Sequence, residues 1–202
     1  MPSIDAYQNF LHFFSTFNRE RLEGLRLQHF TDMSLQEKNN AFEYLLRRIE
    51  SGGSAETVDG IFLADFQRAL PLVTRLMVAG LLNDEAHLAA AWNIFSITKD
   101  QNLLPIFIRF LTGSDVRLRE KAAGTVPTHI FSDELKLALE GMIRNETERL
   151  AHINAGNALL EYHGITKESL GKKKYLGIYR HLLNEDKAKR ELGLQEIDSL
   201  FA

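Results

Sequence analysis

One pattern is written three times between residues 81 and 159, and it constrains the fold more than any other feature of the chain. Ala90, Ala122 and Ala155 stand 32 and 33 residues apart, the period of a helical repeat array. A small residue follows each of them (Ala91, Ala123, Gly156), and an aliphatic one follows four positions on (Ile94, Val126, Leu159). Residues i and i+4 share a helix face, so each pair makes one stripe in which the alanine admits a neighbouring helix closely. Three positions before each alanine comes His87, Arg119 or His152, and upstream come the capping-type residues Asn83, Ser114 and Asn145. Short polar side chains of that kind accept hydrogen bonds from the orphan amides of a helix start. The spacing predicts three such helices, with a second helix after each of the first two, over residues 102–111 and 133–143.

Composition allows one sizeable core and little exotic chemistry. The chain has 202 residues, 45% hydrophobic and 25% charged, four prolines, no cysteine and a net charge of −3. Disulfides and thiolate metal sites are therefore excluded, and a strongly polyanion-binding composition is absent. No apolar run reaches bilayer length, and residues 4–17 are interrupted by Asp5, Gln8, Asn9 and His12 without a basic start. The expectation is a cytoplasmic protein, in which Asn145-Glu146-Thr147 is a helix cap and not a glycosylation site.

Ile4, Tyr7, Phe10, Leu11, Phe14 and Phe17 fall at helical spacing, with Phe13 off the stripe. A short helix is expected over 19–30, with Leu22, Leu25 and Phe30 inward. Ser34-Leu35-Gln36-Glu37 is a capping box opening a helix to Glu50, with Phe42, Leu45, Leu46 and Ile49 inward, ended by Ser51-Gly52-Gly53-Ser54. Residues 55–63 and 66–82 read as a helix pair. Pro71 and Pro105 imply true starts near each proline, or kinks there. Residues 87–97 are apolar on nearly every side, Trp92 included, and so are expected to be buried on both faces. Residues 166–183 form the next helix, with Leu176, Tyr179 and Leu183 inward. Residues 187–201 form the last, carrying Leu192, Leu194, Ile197 and Leu200. There Arg190 stands three before Gly193 and echoes the Arg119–Ala122 relation.

A repeating helix pair with an arginine in its first helix resembles the HEAT repeat. The nearest unit is residues 114–142, S-D-V-R-L-R-E-K-A-A-G-T-V and then E-L-K-L-A-L-E-G-M. L-L-P-I-F-I-R-F-L at 103–111 is similar to a HEAT second helix. The resemblance implies an all-α, HEAT-like, right-handed superhelical array of about five antiparallel helix pairs. It is read as a single domain over 1–202, with N-terminal capping helices at 1–53, repeats at 54–163 and C-terminal capping helices at 164–202.

No phosphate-binding glycine loop, nucleophile elbow or His-Glu-x-x-His helix is present, and no two of the seven histidines stand at i, i+3 or i+4. Arg119 is expected to bond an acceptor such as Asn83 or Asp84. No catalysis, metal, membrane or small-molecule cofactor is expected. Second helices line the concave side of HEAT arrays, and residues surplus to the core stripe there are Ile106, Arg109 and Phe110. The aligned Arg75 and Glu140 extend them into a charged ladder. Arginine and aromatics favour interface centres. The expected function is thus non-catalytic binding of another protein through the concave face. Immunity proteins that neutralise a cognate bacterial toxin domain are one class of such modules. Two alternatives stay open. The basic stretch 166–190, eight Lys/Arg against three Asp/Glu, suits a HEAT-like nucleic-acid-binding protein or DNA glycosylase. A scaffold or chaperone subunit of a larger complex is the other.

Overall fold

The computed structural model describes residues 6–15 and 24–201. Helix accounts for 77% of it, in twelve α-helices, and among the described residues there is no strand. The chain divides into two compact units, Met1–Asp100 and Gln101–Ala202. The first contains α1 (Ala6–Ser15), α2 (Gln28–Thr31), α3 (Leu35–Glu50), α4 (Ala55–Val78) and α5 (Asp84–Thr98). The second contains α6 (Leu104–Leu111), α7 (Val116–Thr125), α8 (Asp133–Asn145), α9 (Arg149–Tyr162), α10 (Lys167–Leu170), α11 (Lys172–Leu182) and α12 (Lys187–Asp198).

In the first unit α1 packs on α2 and α3, α3 on α4, and α4 on α5. Phe10 meets Phe14, Phe30 and Tyr44 with ring centroids 5.2, 5.5 and 5.7 Å apart. Phe13, off the expected stripe, is nonetheless buried, its ring edge-on to His29 of α2. A wall on a second side of the helix explains why its inward face is wider than one stripe. Within the described part of the helix expected over 19–30, residues 24–26 are not helical, Gly24 has φ 76°, and the single turn of α2 is what forms. Ile4, Phe17, Arg19 and Leu22 lie outside the described residues. The capping box does open α3: Ser34 Oγ accepts from the Glu37 amide at 3.3 Å and Glu37 Oε2 from the Ser34 amide at 2.7 Å. Ala41, Phe42, Leu45 and Ile49 fill the core from its inner face, and Leu46 is half-buried.

The pair expected at 55–63 and 66–82 is one long span broken at Asp65, which is extended at φ −162°, ψ 95°. Asp65 Oδ1 accepts from the Arg68 amide at 3.1 Å and so caps the second half. Pro71 then falls beyond the first turn of that half, not at its start. Pro105 behaves as expected, at the first positions of α6 after a 3₁₀ turn at Gln101–Leu103, where a missing N–H has no partner to lose. Asn83 caps α5, accepting from the Ala86 amide at 2.9 Å, and its Nδ2 donates to the Gly53 carbonyl. Asn93 Nδ2 reaches Asp59 of α4 at 2.7 Å. Ala86, Ala90 and Ala91 are fully buried, but Trp92 is 39% exposed and Ile97 40%. The helix that reads as apolar all round therefore has one open face.

In the second unit α7 packs on α9 and α6 on α8. Helix α12 packs on α8 and α11. Ala122 and Ala155 are fully buried, with Val126 and Leu159 beside them. The caps differ from the expected ones. Asp115, not Ser114, accepts from the Arg117 and Leu118 amides (2.8 and 3.2 Å). Glu148, not Asn145, accepts from Leu150 and Ala151 (2.8 and 3.0 Å). Asn145 instead closes α8, its Nδ2 donating to the Gly141 carbonyl at 3.0 Å. Gly171, at φ 78°, splits the helix expected over 166–183 and resets its phase. Ile178 and Leu182 face the core, while Leu176, Tyr179 and Leu183 are half-buried. Leu192 likewise points outward at 44% exposure, against the expectation for α12, while Leu194 and Ile197 are buried.

Gly193 marks the tightest crossing in this unit. A side-chain carbon there would stand 2.9 Å from the Leu182 backbone nitrogen, which cannot rotate away. We expect Gly193→Ala to destabilise the protein by about 1–3 kcal/mol through overpacking, despite the helix propensity alanine adds. Gly141→Ala is the counterpart, since a carbon there meets nothing within 4 Å, and should gain roughly 0.5–1 kcal/mol. Urea denaturation of both variants checks this, and equal midpoints would show that α11 and α12 do not approach so closely.

Candidate functional site

The second unit is tied together at Glu146, between α8 and α9. Its side chain is only 3% exposed, and a carboxylate so buried needs full pairing. Arg119, in the first turn of α7, supplies a two-pronged contact: Nε to Oε2 at 2.6 Å and Nη2 to Oε1 at 3.2 Å. The amides of Thr147 and Glu148 donate to Oε1 at 3.0 Å each. Burial would raise the Glu146 carboxyl, but the Arg119 hydrogen bond and these two amides outweigh it and hold it below the usual range. The partner of Arg119 thus lies at Glu146, 27 residues further along the chain, and not at Asn83 or Asp84. Its remaining prong, Nη1, donates to the Gly113 and Ser114 carbonyls at 2.9 and 2.8 Å.

Arg190 reaches the same loop through backbone carbonyls alone. It is buried, its Nε donates to the Asn184 carbonyl at 2.6 Å, and its Nη1 donates to the carbonyls of Ile143 and Glu146 at 3.1 and 3.0 Å. Arg119 and Arg190 each reach back six residues to their own loop and across to the 143–146 crossing. His152 Nε2 donates to the Leu182 carbonyl at 2.9 Å, and burial followed by the charge of Arg190 pushes its pKa down, which favours the neutral ring. Arg119, Arg190 and His152 are thus committed to holding helices together.

The expected partner-binding residues separate into two groups. Arg75 on α4 and Arg109 on α6 are exposed, and Ile106 is half-buried. The guanidinium of Arg109 lies over the Phe110 ring at 4.4 Å, while Phe110 itself is buried at 5% exposure. Glu140 is also buried. It sits between Lys136 (3.5 Å) and Arg144 (3.0 Å), which continue to Asp198 (2.8 Å) and Glu191 of α12. The hydrogen bonds to Asp198 and Glu191 push both cations' pKa values up. Glu140 is thereby the centre of a charge ladder joining α8 to α12. Phe110 and Glu140 are buried within the fold, whereas Arg75 and Arg109 reach the surface and Ile106 does so in part.

A cavity of about 370 Å³ opens beside the Arg119–Glu146 pair. Leu111, Thr112 and Gly113 at the end of α6 form one side, and Leu137, Ala138, Gly141, Met142 and Asn145 of α8 form the other. Leu137 is 64% exposed, and open space stands over Gly141. None of these residues belongs to the expected set. Leu137 does carry a signal in the sequence: it falls off the Leu135–Leu139–Met142 stripe, as a surplus leucine. Gly141 carries another, since a helix-interior glycine lowers stability by about 1 kcal/mol unless something uses the space. Among the described residues, no group of three or more His, Asp or Glu could hold a metal ion, and no helix is long and apolar enough to cross a membrane. Compared with known proteins, the chain matches no family model, and no curated protein or solved structure matches it either.

The depressed carboxyl of Glu146 fixes the sign of an acid effect. A lowered folded-state pKa contributes stability that is complete above the unfolded value, about 4.3, and is lost as pH falls through the folded value. We expect Glu146→Gln to cost roughly 2–3 kcal/mol at pH 7, the scale of a charged hydrogen bond left half-made. It should also flatten the fall in stability below about pH 4.3. Urea unfolding at neutral and acid pH measures both, and an undiminished acid fall in the variant would remove Glu146 as its source.

Proposed function

We propose that this chain is a HEAT-like α-solenoid of about five helix pairs that binds another protein without catalysing a reaction. Two regularities support the repeat reading. The small residues Ala90, Ala122 and Ala155 are all fully buried. Polar ties between elements recur at similar sequence separations: Asp59 with Asn93 and Glu120 with Asn154 are both 34 residues apart, and Ser132 with Tyr162 and His152 with Leu182 are both 30 apart.

One observation carries the binding reading. Helix α8 turns an exposed leucine, Leu137, and an interior glycine with open space above it toward a cavity edged by the end of α6. An apolar side chain in water beside a glycine that nothing covers is the arrangement a close-packing partner uses. Leu137 and Gly141 join Ile106 and Arg109 as the partner-binding residues of the second unit, and Arg75 is the candidate of the first. A toxin domain neutralised by this protein is a partner of the class the architecture suits.

The test is retention of a protein at one-to-one stoichiometry from an extract of the native host. Leu137→Glu and Gly141→Leu should each weaken that complex about a hundredfold, as loss of an interface centre does. Arg109→Ala and Arg75→Ala, measured singly by titration calorimetry, should cost about 1–2 kcal/mol each. Arg48→Ala, at the exposed end of α3, serves as the neutral control. Retention unchanged by both α8 variants would defeat this reading, and retention of nucleic acid in place of protein would replace it.

A further inference from the structure

A second cavity, of about 670 Å³, lies between α11 and α12. Its floor is Leu170, Gly177 and the buried Ile178, and its rim is Lys172, Lys173 and Lys174. The three lysines are exposed and form no ion pair among the described residues, whereas Lys136, Arg119 and Arg144 are all paired. Gly177 stands in the middle of an eleven-residue helix, and a side-chain carbon there would meet nothing within 4 Å. Three consecutive lysines thus edge the α11 side of an apolar floor whose central residue leaves room for a close approach, while Glu196, 3.1 Å from His181 Nδ1, and Ser199 line the other side.

We propose that this cleft docks an acidic segment of a protein partner, which sets an apolar side chain on Gly177 and Ile178 and its carboxylates against Lys172, Lys173 and Lys174. Charge complementarity chooses the sign of the partner, and the floor chooses its chemistry. Exposed lysine–carboxylate pairs contribute little each, so the apolar contact has to supply most of the hold. A nucleic acid fits less well, because its backbone carries a phosphate at every nucleotide and cannot keep charge away from the Glu196 side of the lining, where a peptide can present an uncharged residue. A peptide can alternate, placing carboxylates at the rim and apolar groups at the floor. This site is independent of the α6–α8 surface and stands or falls without it.

The test uses labelled peptides of about twelve residues, a length that spans such a cleft, with the intact protein and fluorescence anisotropy as the readout. An alternating Glu/Leu peptide should bind saturably and at least about tenfold tighter than an alternating Glu/Ser peptide of equal charge. Replacing Lys172, Lys173 and Lys174 with glutamine should weaken it by about tenfold or more. Gly177→Leu, which fills the floor and keeps the charges, should bring Glu/Leu binding down to the Glu/Ser level. Leu137→Glu should leave binding unchanged, which separates this cleft from the α8 surface. Should Gly177→Leu fail to fold, the lysine variant, altered only at exposed positions, still decides. Equal binding of the two peptides, no binding, or no effect of the lysine variant would overturn the proposal. So would tighter binding of a single-stranded oligothymidylate that the lysine variant abolishes.

Discussion

A buried carboxylate has to be satisfied on every side, and the satisfaction of Glu146 organises the second unit. Its oxygens accept from one guanidinium and two amides, and its backbone carbonyl accepts from a second guanidinium. Those guanidinium groups belong to Arg119 and Arg190, each in the first turn of its helix. The loop between α8 and α9 thereby fixes where α7 and α12 begin. Desolvating a charge is expensive, so a contact of this kind tolerates few alternative positions of the helices that carry it. The Asp198–Lys136–Glu140–Arg144–Glu191 ladder adds a second, more exposed seam between α8 and α12.

The apolar part of the structure follows the same economy of space. Ala122, Ala155, Gly156 and Gly193 all stand where neighbouring helices cross. A methyl or a hydrogen there lets backbones approach, and the aliphatic four residues on fills the gap that results. Where glycine appears with nothing to approach, at Gly141 and Gly177, the same reasoning points outward. Both residues border cavities, one beside an exposed leucine and the other beside three exposed lysines. A surface with room left in its helices differs physically from one that is merely polar, because it can accept another backbone.

Much of this was legible in the chain. The Ala–aliphatic stripes, the Ser34 capping box, the Asn83 cap, the placing of Pro105 and the echo of Arg119 in Arg190 all depend on neighbours within about one turn. Local spacing settles such features. Reading failed where the answer lay across space. Phe13 turns inward because α2 covers a second side of α1. Trp92 turns outward because one face of α5 stays open. Leu176 loses its inward place because Gly171 resets the helix phase.

The same division holds for the candidate sites. Residue type and period determined that the chain is helical, where its small residues recur and which arginines sit in first turns. Composition alone removed thiolate chemistry. Only the tertiary structure decided what those arginines hold, since Glu146 lies 27 residues beyond Arg119 and carries no mark in the sequence of being its partner. It also decided that Glu140 and Phe110 are spent inside the fold while Leu137 and Lys172–Lys174 remain in solvent. A side chain's availability depends on which other helices reach it, and that is a property of packing, which no local pattern encodes.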